Sequence, residues 1–576
     1  MARDNADDYV DDVDLSRVEP EDRTEYLKQR ADTEEEFPGD YDGSVSFERV
    51  TNEMLRNDAD NPESWLQYNG NLGQTGYSPA DRLTPDNVDG LSKAYEITTD
   101  KYGLETNMIV VPGDPPEMYF TSKKGLIEVP GDQKRQNRIV VNAVNARTGE
   151  KIWTTNYQYP KGSAANNQVN RGPVVYGDKV FIGTLDTKIA AFNRSDGSKA
   201  WQTDVLLDGQ SQERTYISQA PLAMNGKIVF GQGGDTAGWS VVGAVDAESG
   251  DLLWTTRTAE RDGWIQDTWK FSSAGAWMTP AADAETDTVF FSVGNPNPAY
   301  NGVVRPGPNP HSNAIVAIDA ESGEMKWANQ ISPHELWDWD VHVPPHVFDI
   351  EVDGEQRRAV SVNWKAGWTY VLDAETGELL TRSAPFGQQG GEAFFRPPPR
   401  GEENAATLAP TNLGATEWPP DSYSPRTGLN YVGGVNVGET IWSTDWSYDE
   451  ESFEWAGGGT SSDTGSTTAH VIAQSPATGM TEWTFQLPDV EESWPSSLAF
   501  TGGTSTTGGG LVFHGSSGHH LYALDDETGD QLWSADTGGR ITASPVVWDD
   551  PDAGDSGKEF VGVASNNKIV VYAGSG

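Results

Sequence analysis

One turn pattern recurs eight times along the 576-residue chain and constrains its fold more than any other feature. The copies are AVNARTGEKIW (143–153), AFNRSDGSKAW (191–201), AVDAESGDLLW (244–254), AIDAESGEMKW (317–327), VLDAETGELL (371–380), YSPRTGLNY (423–431), QSPATGMTEW (474–483) and ALDDETGDQLW (523–533). Their glycines, Gly149, Gly197, Gly250, Gly323, Gly377, Gly428, Gly479 and Gly529, are spaced by 48, 53, 73, 54, 51, 51 and 50 residues, room for four short strands and their turns per copy. Asp or Asn opens a tight hairpin, Thr or Ser bonds back to the backbone, and Gly supplies the positive φ. The Trp four residues past the Gly then lies on the next strand, where it can wedge between adjacent sheets. Radial repetition of four-stranded sheets predicts an all-β, eight-bladed β-propeller with Trp-anchored turns. The hairpin pattern lacks helical periodicity, which argues against a stacked solenoid of similar period.

Residues 48–576 read as this single propeller, and residues 1–47, charged and poor in apolar side chains, as an extended acidic arm. Asp and Glu total 87 against 40 Lys and Arg, a formal charge of −47. Such a field repels phosphate and anionic head groups, so nucleic acid is not an expected partner. The 21 Trp and 36% hydrophobic residues supply enough buriable surface to exclude a disordered chain. Self-repulsion of this size is screened in concentrated salt, which points to a salt-adapted, halophilic protein. The chain has no Cys, which removes disulfides, zinc thiolates, iron–sulfur clusters and C-x-x-C-H haem attachment. It also has no run of 18 apolar residues, so a membrane-spanning helix is not expected. The first residues lack the basic and apolar regions of a secretory signal, so the expectation is either a cytoplasmic chain or a leader missing from this sequence.

The repeat, together with ESWLQYNGNLGQTGYSPADRLTPDNVDGL (63–91), SSAGAW (272–277), GNPNP (294–298) and ELWDWD (335–340), resembles the pyrroloquinoline quinone (PQQ) dependent, or quinoprotein, alcohol dehydrogenases. The resemblance covers about nine-tenths of the chain and implies PQQ and one metal ion as cofactors. It implies that Trp277 forms the floor beneath the quinone, where a flat tricycle stacks on indole. It makes Arg171 of VNRGP, Ser218 of ISQAP, Lys365 of NWKAG and Glu105 of GLETN the contacts for PQQ carboxylates or quinone oxygens. A polyanionic cofactor in a protein of charge −47 needs such local cations. Asn295 corresponds to the family's metal-ligand amide and Asp338 to its catalytic carboxylate, and a hard cation takes oxygen ligands of this kind.

Three departures stand out. Ala165 and Asn166 occupy the place where many alcohol-oxidising members carry two adjacent cysteines, so the upper wall of the pocket must be built differently. The family's glutamate ligand would follow GQGG (231–234), where Asp235 is the candidate in its place. Asp340, two residues past Asp338, adds a carboxylate as in the lanthanide-using branch, although glucose-oxidising members share that spacing; the balance favours a lanthanide slightly over Ca²⁺. The implied reaction is oxidation of a primary alcohol to an aldehyde. Asp338 acts as general base, hydride passes to the metal-polarised quinone and Lys365 stabilises the reducing quinone oxygen. Electrons then pass to an external carrier, a blue-copper protein or cytochrome, in an extracytoplasmic compartment. A PQQ-dependent sugar or polyol dehydrogenase and a non-catalytic propeller that serves as a protein-binding scaffold remain alternatives.

Overall fold

The computed structural model describes residues 35–99, 104–128, 135–160, 169–212, 214–234, 239–259, 261–446, 456–461, 467–490 and 502–575. Among these residues the α-helix content is a single short helix, Asn52–Arg56, with the Thr51 hydroxyl accepting from the Met54 N–H as N-cap. Apart from a few single-turn 3-10 helices, strands make up the rest of the regular structure, in an all-β, propeller-type fold. Sheets 1 to 5 follow one another along the chain as four-stranded antiparallel units at 109–160, 174–204, 222–257, 281–330 and 346–382. Sheet 6 takes its strands from 422–436 and 468–486, with a small three-stranded excursion drawn from 406–461. Sheet 7 spans 504–536 and gains Tyr77–Ser78 as a parallel fifth strand on Thr504–Thr507. Sheet 8 combines 546–574 with Ser92–Thr98, which pairs antiparallel with Lys568–Gly574, so the two ends of the chain share one sheet.

All eight turn glycines have positive φ, between 68° and 79°. Seven of them join the third and fourth strands of sheets 1 to 7. Gly428 departs from the one-turn-per-sheet reading, because it joins the first two strands of sheet 6, which already holds Gly479. Sheet 8 has no copy because its fourth strand arrives from the N-terminal side of the chain. The eight copies and the eight sheets therefore agree in number by different routes.

The repeat Trp docks five of the sheets onto the next, with Trp153, Trp201, Trp254, Trp327 and Trp483 against Gly197, Gly250, Gly323, Gly377 and Gly529. Trp153, Trp254, Trp327 and Trp483 donate their indole N–H to the carbonyls of Arg194, Ala320, Ala374 and Asp526 at 2.7–3.1 Å, in each case three residues before the following turn glycine. A Cβ on Gly197, Gly323, Gly377 or Gly529 would lie 2.5–2.7 Å from that indole, so the glycine is needed for the approach as well as for the turn. Tyr95 in the outer strand of sheet 8 takes the place of the Trp against sheet 1. Its ring faces Gly149, and its hydroxyl donates to the Ala146 carbonyl at 2.7 Å. The described part of the N-terminal arm lies across the same seam, with Glu36 bridged to Thr98 and Asp40 to Lys151, and Val50 just beyond it is bridged to Gly177 of sheet 2. Residues 1–34 lie outside the described residues.

Truncating a docked indole removes a large buried side chain and leaves a cavity. Trp254→Ala should lower the unfolding free energy by about 3–5 kcal/mol, and Tyr95→Phe, which removes one buried hydrogen bond, by about 1 kcal/mol. Urea denaturation followed by tryptophan fluorescence checks both; equal midpoints for Trp254→Ala and wild type would contradict the docking role.

Candidate active site

The first two strands of each sheet run antiparallel, so the start of the first and the end of the second lie at the same end of the sheet. The candidate side chains come from those positions. Glu105, Arg171, Ser218 and Trp277 precede by three or four residues the first strands Ile109–Val111, Val174–Tyr176, Leu222–Met224 and Ala281–Asp283. Asp338 and Asp340 lie in the connection into His346–Val352. Asn295 and Lys365 follow the second strands Thr288–Val293 and Glu355–Trp364. Seven separate chain segments thus converge because the same strand geometry is repeated.

Arg171 is the centre of one half of the cluster. It is buried, donates through Nη1 to the Ser218 hydroxyl at 2.9 Å, and pairs through Nη2 with Glu105 at 2.9 Å. Its guanidinium lies 5.0 Å from the Trp277 ring centroid and 5.7 Å from that of Trp418, within cation–π range of both. Burial pushes the Glu105 carboxyl up from its ordinary value, with Arg171 opposing that shift. The Tyr68 hydroxyl and Arg171 Nε are buried here without a hydrogen-bond partner among the described residues. A buried donor left in this state is costly, so both are poised for a ligand.

Acidic groups and one lysine form the other half. Asn295 Nδ2 donates to Asp338 Oδ1 at 2.9 Å, and the Asn295 backbone N–H donates to Asp340 Oδ1 at 2.9 Å. Lys365 Nζ donates to Asp340 Oδ2 at 3.0 Å and to the Asp338 carbonyl at 3.2 Å, and lies 3.4 Å from Glu417. Burial alone would lower the Lys365 pKa; Glu417, Asp340 and Asp338 outweigh it and hold the ammonium well above its ordinary value. Burial would likewise raise Asp340, but Lys365, His342 and the Asn295 N–H hold it below the usual carboxylate range. Gly294 is required for this packing, since a Cβ there would meet Asp340 Oδ1 at 2.2 Å. Asp338 itself sits at φ 64°, in the left-handed region that non-glycine residues rarely occupy.

The structure thus joins Glu105, Arg171, Ser218 and Trp277, and separately Asn295, Asp338, Asp340 and Lys365. His342 links the two groups, its ring stacked on Trp277 with centroids 5.0 Å apart and its Nε2 3.3 Å from Glu417. Asp235, Ala165 and Asn166 lie outside the described residues. Among the described residues, no three His, Asp or Glu side chains form a ready-made metal cage. Sequence reasoning missed Tyr68, His342, Glu417 and Trp418. A signal for two of them existed: His342 and Trp418, like Glu105, Ser218 and Trp277, stand four residues before the first strand of a sheet.

Comparison with known proteins bears on the family and the fold. The PQQ family model, described as the beta-propeller domain of glucose, ethanol and alcohol dehydrogenases, matches residues 65–386, and a model described as outer membrane protein assembly factor BamB matches 467–551. A quinoprotein alcohol dehydrogenase of Pseudomonas putida, PedH, is 31% identical over 90% of this chain and 88% of its own. A quinoprotein ethanol dehydrogenase of Pseudomonas aeruginosa is 27% identical over 90% and 88%. A europium-containing methanol dehydrogenase structure shares the fold, with a TM-score of 0.74 at 22% identity, covering 91% of this chain and 100% of that one. The chain belongs to the quinoprotein alcohol dehydrogenase family, and it is an oxidoreductase of that type.

Because Glu417 is one of the anions sustaining the Lys365 charge, Glu417→Gln should lower the Lys365 pKa. A lysine with a raised folded pKa adds stability below its unfolded pKa, near 10.4, and loses it as pH rises through the folded value. The variant should therefore lose stability at lower alkaline pH than wild type. Thermal unfolding followed across alkaline pH tests this, and coincident profiles would contradict it.

Proposed function

We propose that the protein oxidises a primary alcohol to an aldehyde with PQQ, on a closed eight-bladed propeller spanning 48–576 with residues 1–47 as its arm. The ring reading is supported by the sheet-to-sheet contacts, which include Trp533 of sheet 7 edge-on to Tyr572 of sheet 8 and Tyr95 of sheet 8 on sheet 1. The observation that carries the catalytic reading is the Asn295–Asp338–Asp340–Lys365 cluster beside the Arg171–Trp277 pair.

The donor set fits both cofactors. Trp277 offers a flat aromatic face, while Arg171, Ser218 and Lys365 offer donors to carboxylate and quinone oxygens, with Glu105 fixing Arg171. The partnerless Arg171 Nε and Tyr68 hydroxyl suit a ligand rich in anionic oxygens. Asn295, Asp338 and Asp340 supply only oxygen donors to a hard cation, with Asp235 as a further candidate. When bound, PQQ supplies a two-electron acceptor and the metal a Lewis acid that polarises it.

Asp338 takes the proton from the substrate hydroxyl as general base, oriented by the amide of Asn295. Lys365, held cationic by Asp340 and Glu417, places positive charge where negative charge develops. An external one-electron carrier, a blue-copper protein or cytochrome, receives the electrons in an extracytoplasmic compartment. A relative in Thauera butanivorans, 27% identical over 87% of this chain, bears the name 1-butanol dehydrogenase (cytochrome c). The same reading takes the charge of −47 as adaptation to salt, which shortens the range of self-repulsion.

Reconstitution in high salt with PQQ and either Ca²⁺ or La³⁺ tests the reading through dye reduction. Ethanol should support turnover and glucose should not, and Asp338→Asn should lower kcat by at least about 10²-fold. Glucose-only activity would favour a sugar dehydrogenase, and failure to retain quinone absorbance would favour a scaffold. The metal is tested by Asp340→Asn, which keeps the shape but removes the charge: La³⁺ should support wild type at lower concentration than Ca²⁺, and the variant should lose that preference. An unchanged preference would remove Asp340 from the metal site.

A further inference from the structure

Two buried ionisable residues that no substrate or cofactor contact requires stand behind the Asp338 connection. Glu335 and Arg305 are both fully buried. Glu335 Oε1 accepts from the backbone N–H of Trp337 at 2.5 Å and of Trp339 at 3.1 Å, the two residues that flank Asp338. The flanking side chains are anchored as well: the Trp337 indole donates to the Ala393 carbonyl at 2.7 Å and the Trp339 indole to the Thr411 carbonyl at 2.8 Å. Asp338 between them therefore keeps its left-handed φ of 64° with the N–H of the residue on either side tied to one carboxyl oxygen.

Arg305 lies in the segment 294–313, which carries Asn295 near its start. Its guanidinium donates to the carbonyls of Pro298 at 3.1 Å and Ala299 at 3.3 Å, to the Asn309 side chain at 2.8 Å and to the Glu335 carbonyl. One side chain thus ties the segment carrying Asn295 to the segment carrying Asp338. Burial pushes the Glu335 carboxyl up to about 7, and its Oε2 has no hydrogen-bond partner among the described residues. The bonds of the pair go to backbone groups and one side-chain amide of the segments that carry Asn295 and Asp338, so the pair fixes where those segments sit.

We propose that Glu335 and Arg305 are positioning residues for the dehydrogenase reaction, a buried clamp that sets the Asp338 carboxylate against the Asn295 amide. This rests on the assignment of Asp338 as general base made above. Glu335 acts through backbone N–H groups that need only an acceptor oxygen, so Gln can replace it, whereas Ala cannot. Arg305 serves acceptors in several directions, which the single ammonium of Lys cannot reach together.

The test compares Glu335→Gln, Glu335→Ala, Arg305→Lys and Asp338→Asn in the PQQ- and metal-loaded protein, with hydrogen–deuterium exchange on the same samples. Glu335→Ala should lower kcat about 10- to 100-fold at nearly constant KM, with faster exchange at the Trp337 and Trp339 amides. Glu335→Gln should restore both to near wild type, and Arg305→Lys should lower kcat. Wild-type kcat and wild-type amide protection in Glu335→Ala would overturn the clamp, as would equal losses in Ala and Gln. If Glu335→Ala does not fold, Glu335→Asp, one methylene short of the two amides, carries the same comparison. Full activity in Asp338→Asn would overturn the general-base reading and the clamp with it, whereas an inactive Asp338→Asn beside a fully active Glu335→Ala would overturn the clamp alone.

Discussion

The structure depends on one contact repeated with small variations: an aromatic ring on the outer strand of one sheet laid on the turn glycine of the next. Its two parts are inseparable. The glycine provides both the positive φ that closes the hairpin and the missing Cβ that admits the indole, while the indole N–H satisfies a carbonyl that the tight turn would leave unpaired. Where the indole N–H is bonded, as at Trp153, Trp254, Trp327 and Trp483, the acceptor is three residues before the glycine, so the contact fixes the relative placement of those neighbouring sheets as well as joining them. Tyr95 shows that the geometry matters more than the residue type, since a phenol hydroxyl reaches the equivalent carbonyl of Ala146.

From that placement the site follows. Once the sheets stand in fixed relation, the residues just before their first strands and just after their second strands meet at one end. Side chains as far apart in sequence as Glu105 and Glu417 then share one cluster. The cluster is polarised: a guanidinium with aromatic rings on one side, carboxylates with a lysine on the other, and His342 between them. A chain of charge −47 places Arg171 and Lys365 in the interior, where burial and nearby carboxylates give them an influence that surface cations in salt would lack.

Much of the fold was legible because its signal is local. A turn of Asp, Thr and Gly followed by Trp describes a hairpin within ten or so residues, and the seven copies between third and fourth strands behave as the pattern implies. Gly428 was not distinguishable from them, since a hairpin turn carries no information about which two strands it joins. The site was legible where residue type and motif coincide, as at Trp277, Asn295 and Asp338. Glu417 and Tyr68 were hidden because their chemistry comes from partners more than 20 residues away, and Glu335 because its work is done on backbone amides that no sequence pattern reports.

The amino-acid sequence by itself determined the all-β class, the hairpin at each glycine, the family, and the residue types available for an anionic cofactor and a hard cation. Tertiary structure alone decided that the eighth sheet is shared by the two ends of the chain, that Tyr95 replaces a Trp at that seam, and that Lys365 is charged between Asp340 and Glu417. The division has a physical cause. Turn conformation and side-chain chemistry depend on a few adjacent residues, whereas burial, ion pairing and the docking of one sheet on another depend on distances between segments that the chain brings together only by folding.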